Sequence, residues 1–539
     1  MTRNLLIVSF LIASIGLFAQ DLPDVQIEIV NPLKVTLPKA ERNFSKVPAM
    51  PSEPISPPIT YDYSLVSFST PSFSPAVRPL KIKPPQVTAS SPNFVSVGFG
   101  NFNSPYLRGY LSFFPLKSNT VGGLSVHHHS FGKGPIDEKN SSSGFTSIMA
   151  NLKASNNTLT TEALVGFENR AANFYGYGTP VADKDTIKQA FNTFFISGNI
   201  SNSKKSDFDF NLRPSFSYLY DKYDAKESDL SLALNGRYRM KGKTAILLNA
   251  SYSLIARKDS LIEAKPRHLV RIAPHYQFSP LENLVVKAGF NVVYESDTIS
   301  KKDIHFYPMA SANFSLGKAF SAFANLSGDM EKVSLHTLSA ENPWINQRIQ
   351  ISHTNKAFDF SGGINGDLGA GFSFTAGFAF TRFKSLYVFQ NDSLNKAKFN
   401  TLYDDVVRTN FFAGINFDKG NYSIRIKGDY YTYSTDTLTA AWHRPTYKVD
   451  AYVVIKAADK LSIVPRLYML GGMKAYDFTA EKEITLVPAI DLNVSAEYNF
   501  SNKIGFFVKL NNILNRDYQL FNQYPVRGFQ GLVGFTWKF

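Results

Sequence analysis

Residues 484–500 read ITLVPAIDLNVSAEYNF, and every second position of this stretch carries an apolar side chain. Because successive side chains of a β-strand point to opposite faces, this spacing predicts a strand with one apolar face and one mainly polar face. An apolar face of this length needs apolar surroundings along the whole strand, whereas strands of soluble sheets usually have about five or six residues. Nine positions form the apolar face: Ile484, Leu486, Pro488, Ile490, Leu492, Val494, Ala496, Tyr498 and Phe500.

The same alternation recurs from Asn93 to the end of the chain. Residues 208–220 and 230–240 repeat it most clearly, and we count about 22 segments of this kind in residues 93–539. That count leaves about 20 residues for each strand and its connection, which suits a tilted strand that crosses a membrane. No stretch after Leu17 has the ~18 consecutive apolar residues of a transmembrane helix. The predicted fold is all-β, a transmembrane antiparallel β-barrel of about 22 strands preceded by a proline-rich N-terminal segment.

The predicted connections alternate between short and long, as in outer-membrane barrels, whose short turns face the periplasm. Long polar connections are predicted at 132–144, 175–186, 334–350, 390–405 and 515–525. Short turns are predicted at Lys117-Ser118, Asn156-Asn157, Gly242, Ser279-Pro280, Gly317-Lys318, Lys419-Gly420, Ala458-Asp459 and Ser501-Asn502.

Residues 1–20 have the pattern of a secretory signal peptide. Arg3 precedes an apolar run from Leu5 to Ile15, and cleavage is expected near Ala19 or Gln20. The chain contains no cysteine, which excludes a lipid anchor on cysteine after this run, and also disulfides, thiolate metal sites and cysteine nucleophiles.

Residues 21–92 form a segment of different composition, with 14 of the 28 prolines of the chain and no glycine. Proline removes backbone hydrogen-bond donors and favours extended conformations, so this segment is not an ordinary sheet domain. One interpretation is a disordered linker. The other is a segment that docks onto a periplasmic or surface-exposed protein partner, because its apolar residues, such as Ile27, Val35 and Phe68, are more numerous than in most disordered chains.

The charge of the chain is positive, with 57 Lys and Arg against 43 Asp and Glu and a formal net charge of +14 at pH 7. In a water-filled barrel, the charged residues on the polar faces of the strands point into the lumen and set its electrostatic field. The alternative is that these charges only pair across neighbouring strands. The candidates for luminal binding are Arg213, Arg237, Arg239, Arg271, Arg425, Lys427, Arg466 and Asp491.

Excess Lys and Arg would also neutralise anionic lipid headgroups, so outer-membrane lipid is an expected partner. The export signal argues against nucleic acid. The sequence has no P-loop, no His-Glu-x-x-His and no nucleophile elbow, and we predict no catalytic residue, no metal ligand and no cofactor. His127 and His129 lie on one face of a predicted strand and His128 on the other, so the expectation is two luminal histidines and one that faces outward.

The C-terminal hairpin resembles that of TonB-dependent receptors. Its residues 511–518 read NNILNRDY, and Pro525-Val526-Arg527 precede the last strand. That family usually has an Asn-Leu-Phe-Asn-type run, a Tyr three residues later, and Pro-Gly-Arg before the closing strand. The matching positions are Asn515, Tyr518, Pro525, Arg527 and the terminal Phe539, an aromatic residue that resembles the signal read by the barrel-assembly machinery.

The resemblance implies the barrel. It does not extend to the plug that precedes the barrel in this family. TonB-dependent receptors have a glycine-containing plug of some 130 or more residues, but only the 72 residues of 21–92 precede the first predicted strand. We therefore expect a barrel without a complete plug in the outer membrane. It would act as a solute receptor or channel, or as the barrel subunit of an outer-membrane complex without transport. An outer-membrane enzyme is the most distant alternative.

Overall fold

The computed structural model describes residues 93–113, 119–177, 184–204, 206–259, 262–263, 265–297 and 303–539. The predicted signal peptide (1–20), the proline-rich segment (21–92) and the predicted turn at Lys117-Ser118 lie outside these residues.

In the described part of the chain, 22 strands form one antiparallel sheet that closes on itself. These strands are β1 (Phe94–Gly100), β2 (Ser104–Ser112), β3 (Thr120–Phe131), β4 (Ser143–Ser155), β5 (Leu159–Asn173), β6 (Lys188–Asn202), β7 (Phe208–Asp221), β8 (Lys226–Arg239), β9 (Ala245–Asp259), β11 (Arg267–Leu281), β12 (Leu284–Glu295), β13 (Ile304–Leu316), β14 (Phe320–Glu331), β15 (Thr354–Gly369), β16 (Phe372–Asn391), β17 (Phe399–Lys419), β18 (Tyr422–Thr435), β19 (Tyr447–Ala458), β20 (Leu461–Gly471), β23 (Ala489–Asn499), β24 (Ile504–Asn511) and β27 (Gln530–Lys538).

Each of these strands pairs with the next one in chain order, and β1 pairs with β27 to close the barrel. At this seam Val95 lies opposite Trp537, and the hydroxyls of Ser96 and Thr536 are 2.7 Å apart. The predicted antiparallel barrel of 22 strands is therefore confirmed, and each predicted segment corresponds to one strand.

The remaining elements are short. Strand β10 (Ile262–Glu263) extends the β9–β11 hairpin. Strands β21 (Lys474–Asp477) and β22 (Lys482–Thr485) form one separate hairpin, and β25 (Gln519–Phe521) and β26 (Tyr524–Pro525) form another. The described residues include one α-helix, α1 (Leu335–Glu341), and two 3-10 helices at Glu138–Ser141 and Lys184–Thr186. None of the described helices has the length and apolar character needed to cross a membrane.

Side chains alternate along the strands as the sequence predicts. The outer surface carries exposed Phe208, Tyr218 and Tyr220 on β7, and Leu230 and Leu232 on the neighbouring β8. The opposite face carries the polar Asp209, Asn211, Arg213, Ser215 and Ser217 of β7, and at the mouth end of that strand the buried Leu219. One face of the sheet is therefore suited to hydrocarbon and the other lines a polar lumen, as transmembrane barrels require.

The connections differ in length between the two ends of the barrel. Turns of a few residues join β4 to β5, β13 to β14 and β17 to β18, and Gly317 (φ 76°) and Gly420 (φ 56°) occupy left-handed positions in the latter two. This short-turn end also holds both ends of the barrel, Asn93 and Phe539, where the Phe539 N–H donates to the Asn93 carbonyl at 3.1 Å.

Some predicted bounds were wrong. At the long-loop end, which we call the mouth, the β16–β17 connection is residues 392–398 instead of 390–405, because both strands extend beyond the predicted limits. The connections 101–103 and 222–225 at the same end are short. The turn predicted at Ser279-Pro280 falls later, after Leu281, where a register shift lengthens β11.

The stretch that predicted the fold is itself divided in the structure. The membrane strand β23 begins at Ala489, whereas Ile484 belongs to the β21–β22 hairpin. Leu486 is buried against Leu470 and Met473 at the mouth. The apolar side chains before Ala489 therefore serve a local core and not the lipid, although their spacing continues that of the strand.

The first prediction concerns the orientation of the barrel. Because the chain has no cysteine, single cysteines give clean labelling. Leu394→Cys, at the mouth, should react with a membrane-impermeant maleimide on intact cells, since Leu394 is 96% exposed. Asn157→Cys and Asn502→Cys, in the short turns, should react only after the outer membrane is permeabilised. The opposite pattern would place the mouth in the periplasm.

The second prediction concerns the closing strand. Trp537 and Phe539 stack with ring centroids 4.6 Å apart, and both are about half exposed on the outer surface. Replacing both by Ala removes apolar surface that faces lipid and the terminal aromatic of the assembly signal. We expect a several-fold lower amount of heat-modifiable barrel in the outer membrane. Wild-type amounts would show that the terminal aromatics are dispensable for insertion.

Candidate functional site

Apolar side chains from several connections form one buried core at the mouth, which we call the mouth core. It combines residues from distant parts of the chain, and each member has 7% or less of its surface exposed. Its members are Tyr175, Phe191, Leu219, Ala225, Val333, Leu335, Leu338, Ile345, Ile349, Ile351, Phe389, Phe399 and Tyr524.

The largest contributor is the β14–β15 connection, residues 332–353, which we call the lid loop. It contains α1, whose first turn is capped by Ser334, and the Ser334 hydroxyl accepts from Thr337 N–H at 3.2 Å. The buried Glu227 carboxylate of β8 accepts from the N–H groups of Leu335 (2.8 Å) and His336 (3.1 Å). Unpaired N–H groups at a helix start favour a negative partner, so Glu227 fixes the helix to the barrel wall.

Further charged groups of the wall hold the lid loop from the same side. Lys332 Nζ lies 2.6 Å from Asp229 Oδ2 of β8. Arg257 of β9 donates to the Ile349 carbonyl at 2.6 Å, and Arg267 of β11 donates to the Val333 carbonyl at 2.9 Å. Hydrogen bonds to charged groups contribute about 1.5 to 3 kcal/mol each where the groups are buried. The lid loop is thus fastened to three neighbouring strands.

Trp344 of the lid loop packs against the mouth core, where it stacks on the buried Tyr524 of the β24–β27 connection. Their ring centroids are 3.9 Å apart and their planes differ by 24°. The Trp344 indole N–H donates to the Asn173 carbonyl at 3.0 Å. The Tyr524 hydroxyl donates to the Ala397 carbonyl, and its ring meets that of Tyr175 edge-on at 4.8 Å. Every polar group of this contact therefore has a partner, as burial requires.

The mouth core joins opposite walls of the barrel. Tyr524 contacts both Tyr175 of the β5–β6 connection and the Ala397 carbonyl of the β16–β17 connection. In a separate cluster beside the mouth core, Phe174 packs with Ala397, and Lys398 Nζ lies 5.1 Å above the Phe174 ring. Ten strands separate these two connections one way round the barrel and twelve the other way. Loops from nearly opposite positions therefore meet across the opening and close it.

His443, in the β18–β19 connection, forms hydrogen bonds with two other elements at the mouth, β16 and the β24–β27 connection. Its Nδ1 lies 2.7 Å from the Phe389 carbonyl and its Nε2 lies 3.1 Å from the Asn522 N–H. The first nitrogen must donate and the second must accept, so the ring is neutral in this structure. Burial lowers the pKa of His443 to about 4.

The lid loop was missed as a functional element. The sequence predicted a polar connection at 334–350, whereas Leu335, Leu338, Trp344, Ile345 and Ile349 are buried there or packed against the mouth core. The signal was available, since a solvent-exposed loop does not need five large apolar residues within 16 positions. These residues show neither helix nor strand periodicity, so the sequence does not indicate which side chains they contact.

The luminal candidates lie in two groups on different walls. Arg213, Arg237 and Arg239 lie on β7 and β8, and Arg271 lies nearby on β11. Arg239 forms an ion pair with Asp209 of the adjacent β7. Arg271 Nε lies 2.6 Å from Asp329 Oδ1 of β14, three strands away.

Arg425, Lys427, Arg466 and Asp491 lie together on β18, β20 and β23. Arg425 pairs with Asp418 at 2.6 Å, Lys427 with Asp429 at 3.3 Å, and Arg466 with Asp450 at 2.5 Å. Asp491 accepts a hydrogen bond from Tyr518 at 2.7 Å and from the Asn512 N–H at 3.1 Å. Much of the luminal charge is therefore paired, and a binding role for these residues stays a prediction.

The residues of the C-terminal motif hold the last connection in place. The Asn515 side chain accepts from the Phe529 N–H at 2.8 Å, and the Pro525 carbonyl accepts from the Tyr175 hydroxyl at 3.2 Å. Arg527 donates to the Ser141 carbonyl at 2.8 Å and lies 4.2 Å above the Phe131 ring. Burial lowers the pKa of Arg527. The motif thus positions the loop that carries Tyr524.

The three histidines of β3 have the predicted facing. His127 and His129 border a small luminal recess with Tyr106, whose ring lies 5.8 Å and 5.7 Å from theirs, and Lys509 donates to the Tyr106 hydroxyl at 3.0 Å. His128 lies on the other face, within 2.8 Å of the Thr146 hydroxyl. Within the described ranges, no cluster of three or more acidic or histidine side chains has the geometry of a metal site.

Solved structures of outer-membrane receptors are similar to this chain in fold. The siderophore receptor PirA from Acinetobacter baumannii aligns with a TM-score of 0.64 and 10% identity over 83% of this chain and 80% of PirA. The FrpB iron transporter from Neisseria meningitidis gives 0.63 and 10% identity over 83% and 81%. The pyoverdine receptor FpvA from Pseudomonas aeruginosa gives 0.62 and 12% identity over 84% and 79%. The sequence matches no family model and no curated protein.

The fold therefore defines an outer-membrane β-barrel protein. The barrel shares the fold of these solved receptor structures, as the resemblance drawn from the C-terminal hairpin predicted.

The third prediction follows from the neutral His443. An unfolded histidine has a pKa near 6.5, and that of His443 is about 4. His443 therefore binds fewer protons when the mouth is closed than when it is open. Its contribution to the free energy of closure is complete above pH 6.5 and is lost as the pH falls toward 4. At about 1.4 kcal/mol per pKa unit, closure loses up to about 3 kcal/mol. Proteolysis of the mouth loops should accelerate over this pH range.

His443→Gln removes one titrating group of the mouth and should weaken this pH dependence, with buried His353 of the lid loop accounting for part of what remains. His128→Gln, which changes a histidine on the outer face of β3, should preserve it. Equal cleavage of the wild-type loops at pH 7 and pH 4.5, with a protease active at both, would contradict the prediction.

Proposed function

We propose that this chain is a gated outer-membrane receptor barrel whose loops keep the mouth closed until a solute or a protein binds at the cell surface. The observation that carries the proposal is the mouth core, in which loops from nearly opposite walls meet around the stacked Trp344 and Tyr524. A porin-like channel would leave this space to water. The siderophore receptor and the iron transporter that share the fold also support a receptor function.

Opening requires the mouth core to separate, and its contacts make that costly. Truncating one large buried aromatic residue typically costs about 3 to 5 kcal/mol. A ligand that opens the mouth must bind the open state more tightly by at least the free energy that holds the loops together. The ligand must therefore contact the loops themselves, so we assign the initial binding surface to the mouth.

In this proposal, residues 21–92 act on the periplasmic side of the barrel. Their proline-rich composition suits an extended segment that binds a protein at modest entropic cost. In the alternative that the sequence left open, the barrel is a subunit of an outer-membrane complex without transport, and the same segment holds its partner. The two functions differ in whether the mouth ever opens.

The fourth prediction tests the gate in planar bilayers. The wild-type barrel should show little steady conductance, because the mouth core is intact. Trp344→Ala combined with Tyr524→Ala should raise the conductance severalfold, since it removes the stack that joins the opposite walls. Deletion of residues 21–83 alone should leave the conductance low.

Trp442→Ala is the matched control, because it removes an indole from the separate cluster with Val388 and Ala440. It should leave the barrel closed. Combining the 21–83 deletion with the double aromatic variant shows whether that segment also limits the flow. A wild-type barrel that conducts at the level of a porin would refute the gated receptor.

A further inference from the structure

A recess of about 670 Å³ lies on the luminal wall between β17 and β20, apart from the mouth core. Its charged lining comprises four cations and two carboxylates: Arg425, Lys427, Lys448, Arg466, Asp429 and Asp450. Arg425 also pairs with Asp418 beside the recess, so four cations face three carboxylates and one positive charge is left over. The surplus of cations indicates that the recess is built for something beyond the cohesion of the wall.

The strand register places these side chains in three luminal rows. The first row has Arg425 and Arg466 on either side of Tyr452. Since neighbouring strands are about 4.8 Å apart, the backbones that carry the two arginines are separated by about 10 Å. The Tyr452 ring lies between two fixed cations.

The next two rows alternate in sign. Lys427 lies opposite Asp450, and one step toward the mouth Lys448 lies opposite Asp429. The two lysines are therefore diagonal neighbours on β18 and β19. Asp429 and Asp450 alternate with the lysines and offset their mutual repulsion, so the positive charge offered to an anion comes from the surplus of cations in the recess as a whole.

Acidic residues orient Arg425 and Arg466 but accept hydrogen bonds from only some of the N–H groups of each guanidinium. Arg466 donates to Asp450 through Nε and Nη2, and Arg425 donates to Asp418 through Nη2. A guanidinium has five N–H donors in a rigid plane. Both side chains are thus held in place with donors left over, and the Arg466 side chain keeps 56% of its surface exposed.

The lysines are less constrained. The Lys427 side chain is 66% exposed, with a single contact to Asp429 at 3.3 Å. In the described part of the chain Lys448 has no ion pair, and its Nζ lies 6.0 Å from the centroid of the Tyr468 ring. Two ammonium groups with few contacts therefore border the recess beside two oriented guanidinium groups.

We infer that this recess is a binding site for a small solute that bears at least two carboxylate or phosphate groups. The guanidinium pair provides directional hydrogen bonds to planar or tetrahedral oxyanions, and the lysines supply charge that adapts to the shape of the ligand. Tyr452 and Phe412 offer rings against which the carbon skeleton packs. The inference deepens the proposed function, because it gives the chemical class of a solute inside the barrel.

Calorimetric titration of the detergent-solubilised full chain tests the site with two probes, citrate for carboxylates and inorganic pyrophosphate for phosphates. We expect saturable binding of at least one probe, and weaker binding as the salt concentration rises. Lys427→Gln combined with Lys448→Gln should weaken it at least tenfold. These lysines are chosen because they leave the arginine–aspartate pairs of the wall intact.

Lys287→Gln is the control, since Lys287 is an exposed luminal lysine on β12, on another part of the wall and at a similar distance from the short-turn end. It should change the affinity less than twofold. Equal losses in both variants would show only a general effect of luminal charge and would overturn the inference, as would the absence of saturable heat with either probe. Because titration in detergent does not require the mouth to open, these outcomes are independent of the conductance test of the gate.

Discussion

Hydrocarbon offers no hydrogen-bond partners, so every backbone N–H and C=O inside the membrane must be paired within the protein. This constraint makes the seam between β1 and β27 the contact on which the rest of the structure depends, because without it two strand edges would face lipid. The seam joins the first and last strands across more than 400 positions of the chain. Pairing of all 22 strands follows from it, and so does the width of the lumen.

A lumen of this width creates a second requirement, because barrels of 16 to 18 strands already leave an aqueous channel. The inward-facing side chains of the strands alternate with lipid-facing ones and are mainly polar, so they do not fill this space with an apolar core. The apolar residues that meet across it come instead from the connections and from the strand ends at the mouth. The hydrophobic core of this protein therefore lies at one end of the barrel, and the charged groups of β8, β9 and β11 hold it there.

The sequence predicted the barrel well because alternation is a local property. Period two along residues 208–220 requires no knowledge of any other strand, and neither does the Pro525-Val526-Arg527 motif before the closing strand. The same locality explains the error at Ile484 and Leu486, where the spacing continued while the partner changed from lipid to Leu470 and Met473. The mouth core could not be predicted, because Trp344, Tyr524 and Tyr175 are more than 150 positions apart and share no pattern. The luminal candidates lie on strands of two different walls, a division that depends on strand order around the closed barrel.

The position of Tyr524 also governs the order in which the molecule is completed. Tyr524 belongs to the last connection before the closing strand, and its contact with Tyr175 spans nearly 350 residues of sequence. Contacts of such long sequence separation form late, because the loop they close carries a large entropic cost. The aromatic stack therefore cannot assemble until the C-terminal hairpin has been delivered to the growing sheet. A nascent barrel that stalls before that step has an unsealed mouth, so permeability itself distinguishes unfinished molecules from finished ones.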